Sequence, residues 1–386
     1  IDETASLIVP NVKGGATIRP ERGQNKLMSL AETKTAQDLL NSGKISGEEY
    51  QYLAQFPQYF GDQPMTNGPV YVGVVVFALF LLGCITVKGA VKWALLVATL
   101  LSLPMGWGHN AMWFTDMMID HFPLYNKFRT VASALVIAEL TIPLLAALAL
   151  NKILTEKDFF NKHNRIIIGC FAFTAIACLV IYIAPGMFGG FSIQEKEQYI
   201  NTGVAVQVPE LFNAIETIRL DMVKADAMRS LIFVIMGFGA LLLFFAKKTN
   251  AVVGGLIITV VILADMYTVN KRYISSSSFT TPMPKQEQIA ARPVDRQILQ
   301  DTAMNYRVLD VNKFGDASPS YYHKMIGGYH AAKLTRYQDL IDHQIGKNNT
   351  EVLDNTFSSA AYQYLADGVM LCTVTTPGGR SMFPGK

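Results

Sequence analysis

The sequence predicts a mainly α fold: a polytopic helical membrane protein with about six transmembrane helices, extracytoplasmic loops and a small α+β C-terminal ectodomain. Three observations predict it. Hydrophobic residues make up 51% of the 386 residues and charged residues only 16%, whereas soluble domains carry roughly 25% charged residues. Several apolar segments are long enough to cross a bilayer. Lysine and arginine gather in the short connections between those segments.

Each predicted membrane span is an apolar segment of about 20 residues, the length of helix that crosses about 30 Å of hydrocarbon. The spans are Val70–Val87, Val91–Trp107, Val131–Leu150, Arg165–Pro185, Met228–Ala246 and Ala251–Val269. The second has the weakest sequence signal, because it is short and carries Pro104 near its end. It is retained because the distribution of lysines requires a span there.

The orientation follows from the cations in the short connections, since cytoplasmic loops retain positive charge. The three connections contain Lys88, Lys92, Lys152, Lys157, Lys162, Arg165, Lys247 and Lys248. All three turns are therefore predicted to be cytoplasmic. The chain then divides into an extracytoplasmic segment at 1–69, a six-helix membrane domain at 70–269 and an extracytoplasmic α+β domain at 270–386. Both ends face outside.

The predicted outer segments contain secondary structure of their own. "TAQDLLNSGKISGEEYQYLAQF" has helical spacing with a turn at Gly43, and "PELFNAIETIRLDMVKA" is typical of an amphipathic helix that enters the fifth span. In the tail, "MNYRVLDV" and "GVMLCTV" indicate strands, and "GYHAAKLTRYQDLIDHQI" indicates a helix. A linker, "YISSSSFTTPMP", separates this tail from the last span.

The two ends of the sequence suggest a fragment. The chain begins with "IDETASLIVP", without methionine or a targeting segment, and it ends in "TVTTPGGRSMFPGK" just after a predicted strand. We therefore expect a preceding N-terminal part and a C-terminal domain that continues further.

Composition excludes two classes of site. The net charge of +3 is spread along the chain, whereas nucleic-acid binding needs a clustered basic face, so no nucleic-acid partner is predicted. The four cysteines stand far apart and three of them lie in apolar segments. Their spacing predicts neither a metal site nor a disulfide framework.

Two acids lie within predicted spans, where a carboxylate is costly unless it is paired or hydrated. Asp265 falls about one turn from the outer interface, and we expect it to reach headgroups and water. Glu139 lies nearer the middle of its span and precedes Pro143, which can kink the helix. Either a buried structural pair or a role in a polar cavity fits Glu139.

The segment "DHFPLYNKFRT" precedes the third span and mixes aromatics with cations. Lys127 and Arg129 are candidate ligands of a lipid phosphate, since arginine offers a planar fork of donors to phosphate oxygens. His121 and Tyr125 are candidate binding residues beside them. The alternative is that the aromatics form an interfacial belt while the cations extend to headgroups. No spacing in this segment defines a metal site or a catalytic pair.

A second candidate segment, "PQYFGDQPMTNGPVYVG", lies directly before the first span. Asp62 and Tyr59 could contact a sugar by hydrogen bonding and stacking. They could equally shape a re-entrant turn at the interface.

Several of these segments together resemble the YfhO family of bacterial polytopic membrane proteins. The resemblance rests on "YFGDQPMTNGPVYVG", "HFPLYNKFRTVASALVIAEL", "NYRVLDV" and "YHKMIGGYHAAKLTRYQDLI", in this order, and extends from "IVPNVKGGA" to about Ile345. It implies a GT-C-like glycosyltransferase of the bacterial inner membrane, with a polyprenyl-phosphate-linked sugar donor, an envelope glycan acceptor and the lipid bilayer as partners.

The resemblance leaves the chemistry open. The catalytic acid of such folds lies in a loop after the first span, which we expect to precede this fragment, so no catalytic residue is carried over. The transfer needs a base for the acceptor hydroxyl and positive charge on the leaving phosphate, from cations or from a divalent metal ion. Two alternatives remain: a transporter or flippase in which Glu139 and Asp265 couple to transport, and a non-catalytic scaffold that binds glycans or partner proteins.

Overall fold

A computed structural model describes residues 2–22, 24–63, 65–123, 125, 131–156, 158–201, 209–279, 281, 289–300, 307–310, 313–330, 333–345 and 369–372. The chain forms two compact units, Ile1–Thr280 and Thr281–Lys386. The first unit extends past the predicted boundary at residue 270 because its last helix ends at Tyr273. The following residues then bond to the first hairpin, where Arg22 N–H donates to the Ser277 carbonyl and Ser278 Oγ donates to the Pro20 carbonyl.

The first unit is mainly helical, with one hairpin of two antiparallel strands near its start. The strands are β1 (Ile18–Glu21) and β2 (Gln24–Leu27). The helices are α1 (Lys34–Asn41), α2 (Gly47–Leu53), α3 (Val74–Thr86), α4 (Ala90–Trp107), α5 (Met112–His121), α6 (Leu135–Thr155), α7 (Phe159–Ile183), α8 (Ile193–Asn201), α9 (Pro209–Phe245) and α10 (Ala251–Tyr273).

Among the described residues, five helical segments are long and apolar enough to cross a membrane, as in a multi-pass helical membrane protein. They are Ala90–His121, Ala132–Thr155, Phe159–Ile183, Pro209–Phe245 and Ala251–Tyr273. The helical segment at the predicted second span is longer than predicted, because α4 continues through a short 3₁₀ turn into α5. The predicted first span is instead the short one, because only 13 of its residues, in α3, are helical.

Helix α3 is central to the membrane domain. It packs against α6, α7 and α9, and most of its apolar side chains are buried. A helix that is apolar all round is buried in this way, whereas one that faces lipid keeps an exposed apolar stripe. On α10, that exposed stripe consists of Val252, Leu256, Val260, Leu263 and Tyr267. The opposite stripe of α10, which includes Ile258, Val261 and Asp265, is buried.

The C-terminal end of α3 is capped by lysines from neighbouring helices. Lys92 Nζ donates to the Cys84 carbonyl at 3.1 Å, and Lys152 Nζ donates to the Thr86 carbonyl at 2.6 Å. The last carbonyls of a helix lack partners within it and carry partial negative charge, so ammonium groups stabilise them. Two of the lysines that predicted the orientation therefore also have a structural role.

The amphipathic helix predicted before the fifth span is confirmed as the first half of α9. This helix has 37 residues, about 55 Å at 1.5 Å per residue, and is longer than a bilayer core requires. Its first turns pack Leu211, Ile215 and Ile218 against α1 and α2, with Leu30 and Leu53 in the same cluster. The predicted turn at Gly43, whose φ is +70°, separates these two short helices.

The second unit contains both helix and strand. Its elements are α11 (Pro293–Ile298), β3 (Arg307–Asp310), α12 (Thr335–Leu340) and β4 (Val369–Cys372). The two strands match the predicted ones and pair in parallel. Arg292 forms ion pairs with Asp295 and Asp310 at 2.8 Å each, and its hydrogen bonds to Asp295 lower the pKa of that carboxyl to about 2.

Candidate functional site

One end of the membrane domain gathers the start of α3, the end of α4, the start of α6 and the end of α10. We call it the acid end, because the carboxylates of Glu3, Asp62 and Glu139 line its cavities. Two cavities open at this end, with volumes of about 770 Å³ and about 410 Å³. Gly68 and Pro69 line both cavities, so the extended segment before α3 forms a shared wall.

The larger cavity, which we call the groove, has a polar wall and an apolar wall. We call its polar lining residues the polar wall and its apolar lining residues the apolar wall. Both sets include residues of the N-terminal segment, of the stretch before α3 and of the helical segments. The polar lining includes Asp2, Glu3, Lys13, Tyr59, Asp62, Gln63, Trp107 and His109. The apolar lining includes Leu7, Val70, Leu103, Leu135 and Ile193.

Glu3 is held in place by two donors on the polar wall. Tyr59 Oη donates to Glu3 Oε1 at 2.5 Å, and Gln63 Nε2 donates to Glu3 Oε2 at 2.9 Å. Burial, followed by the hydrogen bond to Glu3, raises the pKa of Tyr59 above its usual range, so the phenol stays a donor. Tyr59 is buried, and its hydroxyl orients Glu3 at the edge of the groove.

Two groove residues remain available to a ligand. Asp62 is half-buried, and it makes no hydrogen bond or ion pair with the residues that the structure describes. Trp107, also half-buried, donates from Nε1 to Thr4 Oγ1 at 2.8 Å, which holds the indole against the N-terminal segment. Lys13 is already engaged, because its Nζ donates to the Phe188 carbonyl at 2.7 Å.

The smaller cavity contains Glu139, so we call it the Glu139 pocket. Its other polar lining residues are Asn67, Tyr71, Asn270 and Tyr273. Within the described part of the chain, the Glu139 carboxylate has no hydrogen bond and no ion pair. Glu139 is the fifth residue of α6, about 6 Å from the first residue along the axis. It therefore lies nearer the helix end than the predicted span indicated.

The other acid singled out in a span, Asp265, is fully buried, and the expectation that it reaches headgroups and water is wrong. Arg229 Nη2 lies 2.5 Å from Asp265 Oδ1. Tyr71 Oη donates to the same oxygen at 2.7 Å, and the Val74 N–H donates to Oδ2 at 3.1 Å. The carboxylate thus neutralises an arginine of α9 and caps the N-terminus of α3.

A second ion pair joins the same two helices with the opposite polarity. Asp226 of α9 accepts two hydrogen bonds of 2.6 Å from Arg272 of α10, and it also accepts from the Asn11 N–H at 3.1 Å. Tyr273 Oη donates to Asn11 Oδ1 at 3.0 Å. The N-terminal segment is therefore attached to the bundle at the acid end.

Two further predicted site residues, His121 and Tyr125, do not line these cavities. His121 ends α5, is exposed, and has Nδ1 3.0 Å from the Met117 carbonyl. Tyr125 is 8% exposed, and its hydroxyl has no hydrogen-bond partner among the described residues. Lys127 and Arg129 lie outside the described residues. The structure thus places Tyr59 and Asp62 in the groove and Glu139 in the adjacent pocket.

The acids of the groove do not form a metal centre. Both oxygens of Glu3 already accept hydrogen bonds, and the described residues contain no group of three or more histidines, cysteines, aspartates or glutamates placed to hold an ion. The described residues of the groove therefore do not fit a divalent cation.

Sequence reasoning missed Glu3 and Trp107. Trp107 carries a usable signal, since a tryptophan at the end of an apolar segment is typical of the membrane interface. Glu3 carries none, because only the folded chain brings it next to Tyr59, 56 residues away. Comparison with protein-family models, curated proteins and solved structures finds no match for this chain.

Proposed function

We propose that this chain is part of a membrane glycosyltransferase-like protein that takes sugar from a polyprenyl-phosphate-linked donor, with the groove as its saccharide-binding site. The observation that carries the proposal is that carboxylates, an indole and apolar side chains of α4 and α6 line the same groove. A lipid-linked sugar has the matching chemistry, with a hydroxylated head joined to a hydrocarbon chain.

The polar wall suits a sugar for two reasons. Carboxylates such as Asp62 accept hydrogen bonds from hydroxyl groups, and charged acceptors strengthen those bonds. The Trp107 indole offers a large apolar face together with a fixed orientation, which favours contact with the C–H face of a pyranose. Leu103 and Leu135 of the apolar wall would contact the first isoprene units of the lipid.

The phosphate would be held by Lys127 and Arg129, which precede the groove residue Ala132 in the chain. Arginine binds phosphate oxygens through two parallel N–H donors, and lysine adds a point charge. Such cations would also stabilise the charge that develops on the leaving phosphate. Asp62 is the groove carboxylate without a partner among the described residues. We therefore assign it the role of the general base that accepts the proton of the acceptor hydroxyl.

The positive-inside rule supports an extracytoplasmic groove. Lys92 and Lys152 lie at the end of α3 opposite the groove, as does the turn with Lys247 and Lys248. If that end is cytoplasmic, the groove faces the outer side of the bacterial inner membrane, where lipid-linked sugars meet envelope acceptors.

A comparison of two tryptophans tests the proposal. Trp107 and Trp93 lie at opposite ends of α4, but only Trp107 lines the groove. We expect Trp107→Ala to weaken binding of a radiolabelled polyprenyl-phosphate hexose about tenfold, the effect of about 1.4 kcal/mol of lost contact. Trp93→Ala should bind like the unaltered chain. Binding is measured by scintillation proximity on the purified chain in detergent.

Further arms of the same assay separate the alternatives. Asp62→Asn should keep donor binding within about threefold while removing transfer to a glycan acceptor. Equal effects of the two tryptophan substitutions would contradict the proposed groove. Tight binding of free glycan without lipid would favour a scaffold, and movement of the donor across proteoliposome bilayers would favour a flippase.

A further inference from the structure

The Glu139 pocket has an unusual charge balance for a cavity in a membrane domain. Glu139 is the one residue of its lining that carries a formal charge at neutral pH. The nearby arginines do not neutralise it, since Arg229 is paired with Asp265 and Arg272 with Asp226. The pocket is therefore a site of net negative charge that the described residues leave unpaired.

The surface around Glu139 faces lipid. Val136 is 62% exposed and Leu140 67% exposed, and both lie within one turn of Glu139 on α6. Apolar side chains so exposed on a membrane helix are covered by acyl chains. An ionised carboxylate next to them is costly unless it meets a cation or water. Glu139 is the eighth of the 24 residues of the membrane-crossing segment Ala132–Thr155, so it lies nearer the acid end of that segment than its middle.

The remaining lining suits an ammonium group. Tyr273 uses its hydroxyl elsewhere, in a bond to Asn11, which leaves its ring as the group that faces the cavity. The Tyr71 ring already has the Arg229 guanidinium over it, 5.9 Å from the ring centroid. Aromatic rings attract ammonium through their negative faces. Asn67 and Asn270 add amide oxygens that accept hydrogen bonds. A carboxylate, two amide oxygens and the Tyr273 ring together match the donors and the charge of a primary ammonium.

We propose that the Glu139 pocket binds the primary ammonium of an aminophospholipid headgroup. Glu139 and the two asparagines accept its three N–H donors, and the Tyr273 ring covers its methylene groups. A volume of about 410 Å³ accommodates an ethanolamine headgroup. A free amine carries the same ammonium, but the lipid-facing position of the pocket favours the lipid-anchored form. This site is independent of the proposed function of the groove.

Native mass spectrometry of the chain in detergent tests this proposal, with short-chain phosphatidylethanolamine as the probe. We expect phosphatidylethanolamine to bind at least tenfold more tightly than its N-acetylated form, which has no positive charge, because a charge-assisted hydrogen bond contributes about 1.5–3 kcal/mol. Glu139→Gln should remove this preference. Glu210→Gln, which changes an exposed acid at the start of α9, should leave the preference intact.

Two further measurements test whether the bound ammonium belongs to a lipid and whether the Tyr273 ring contributes to binding. Free ethanolamine at the same concentration should not compete with the lipid. Competition would indicate that the pocket binds a soluble amine instead of a lipid headgroup. Tyr273→Phe keeps the ring and should retain binding, and Tyr273→Leu should weaken it several-fold. The proposal is overturned if Glu139→Gln binds phosphatidylethanolamine like the unaltered chain, or if the N-acetylated lipid binds equally well.

Discussion

Replacing Asp265 with alanine should lower the free energy of unfolding of the membrane domain by about 3–5 kcal/mol, the usual cost of removing one partner from a buried ion pair. Arg229 would keep its charge without the carboxylate that lies 2.5 Å away. The Val74 N–H and the Tyr71 hydroxyl would lose their acceptor at the same time. One substitution therefore removes contacts to α9, to α3 and to the segment before α3.

Unfolding in detergent by added dodecyl sulfate, followed by circular dichroism, measures this effect. Asp265→Asn should fall between the alanine variant and the unaltered chain, because an amide oxygen still accepts from Val74 while the charge is lost. Glu139→Ala is the matched control, since it removes a carboxylate without a partner among the described residues, and it should cost less than about 1 kcal/mol. If Asp265→Ala costs no more than Glu139→Ala, the assigned role of Asp265 is wrong.

Arg219→Met should destabilise the region outside the bundle by a similar amount, about 3–5 kcal/mol. The guanidinium of Arg219 is fully buried. It donates to both carboxylate oxygens of Glu195 at 2.9 Å and to the carbonyls of Gly190 and Pro57 at 2.9 Å. Methionine fills a similar volume but would leave all four acceptors without these donors.

Hydrogen–deuterium exchange localises this loss. Peptides that cover residues 190–201 and 57–60 should exchange faster in Arg219→Met, while peptides from α3 should not change. Lys224→Met is the control on the same helix, because Lys224 forms an exposed pair with Asp221 at 3.8 Å, and such pairs contribute little. Unchanged exchange around Glu195 in Arg219→Met would show that other contacts hold this loop.

The sequence predicted the helices of the membrane domain well because hydrophobic length is a property of the chain itself. It could not predict that α3 begins only at Val74. The apolar run starts at Val70, but the backbone is not helical at Gly73, whose φ is +92°, and the helix begins only at the next residue. The N-terminus of α3 meets a carboxylate that lies 191 residues away in the sequence, and no local pattern reports such a contact.

The same limit applies to the candidate site. Residue type alone singled out Asp62, Glu139 and Asp265, because acids near a membrane need an explanation. Whether such an acid is paired depends on the register of neighbouring helices. Asp265 is paired with Arg229, whereas Glu139 has no partner among the described residues. Trp107 could have been selected as an interfacial aromatic, whereas Glu3 becomes visible only through its fold-dependent contact with Tyr59.

The two ion pairs between α9 and α10 together permit only one alignment of these helices. Asp226 meets Arg272, and Arg229 meets Asp265. The acid precedes the arginine along both helices, and the helices run antiparallel, so each acid meets the arginine of the other helix. A slide of α10 by seven residues, about 10 Å, would bring Asp226 beside Asp265 and leave both arginines unmatched. Like charges at such a distance repel strongly in a dry environment. The two crossed ion pairs therefore favour the native alignment of α9 and α10 over misaligned ones while the chain inserts.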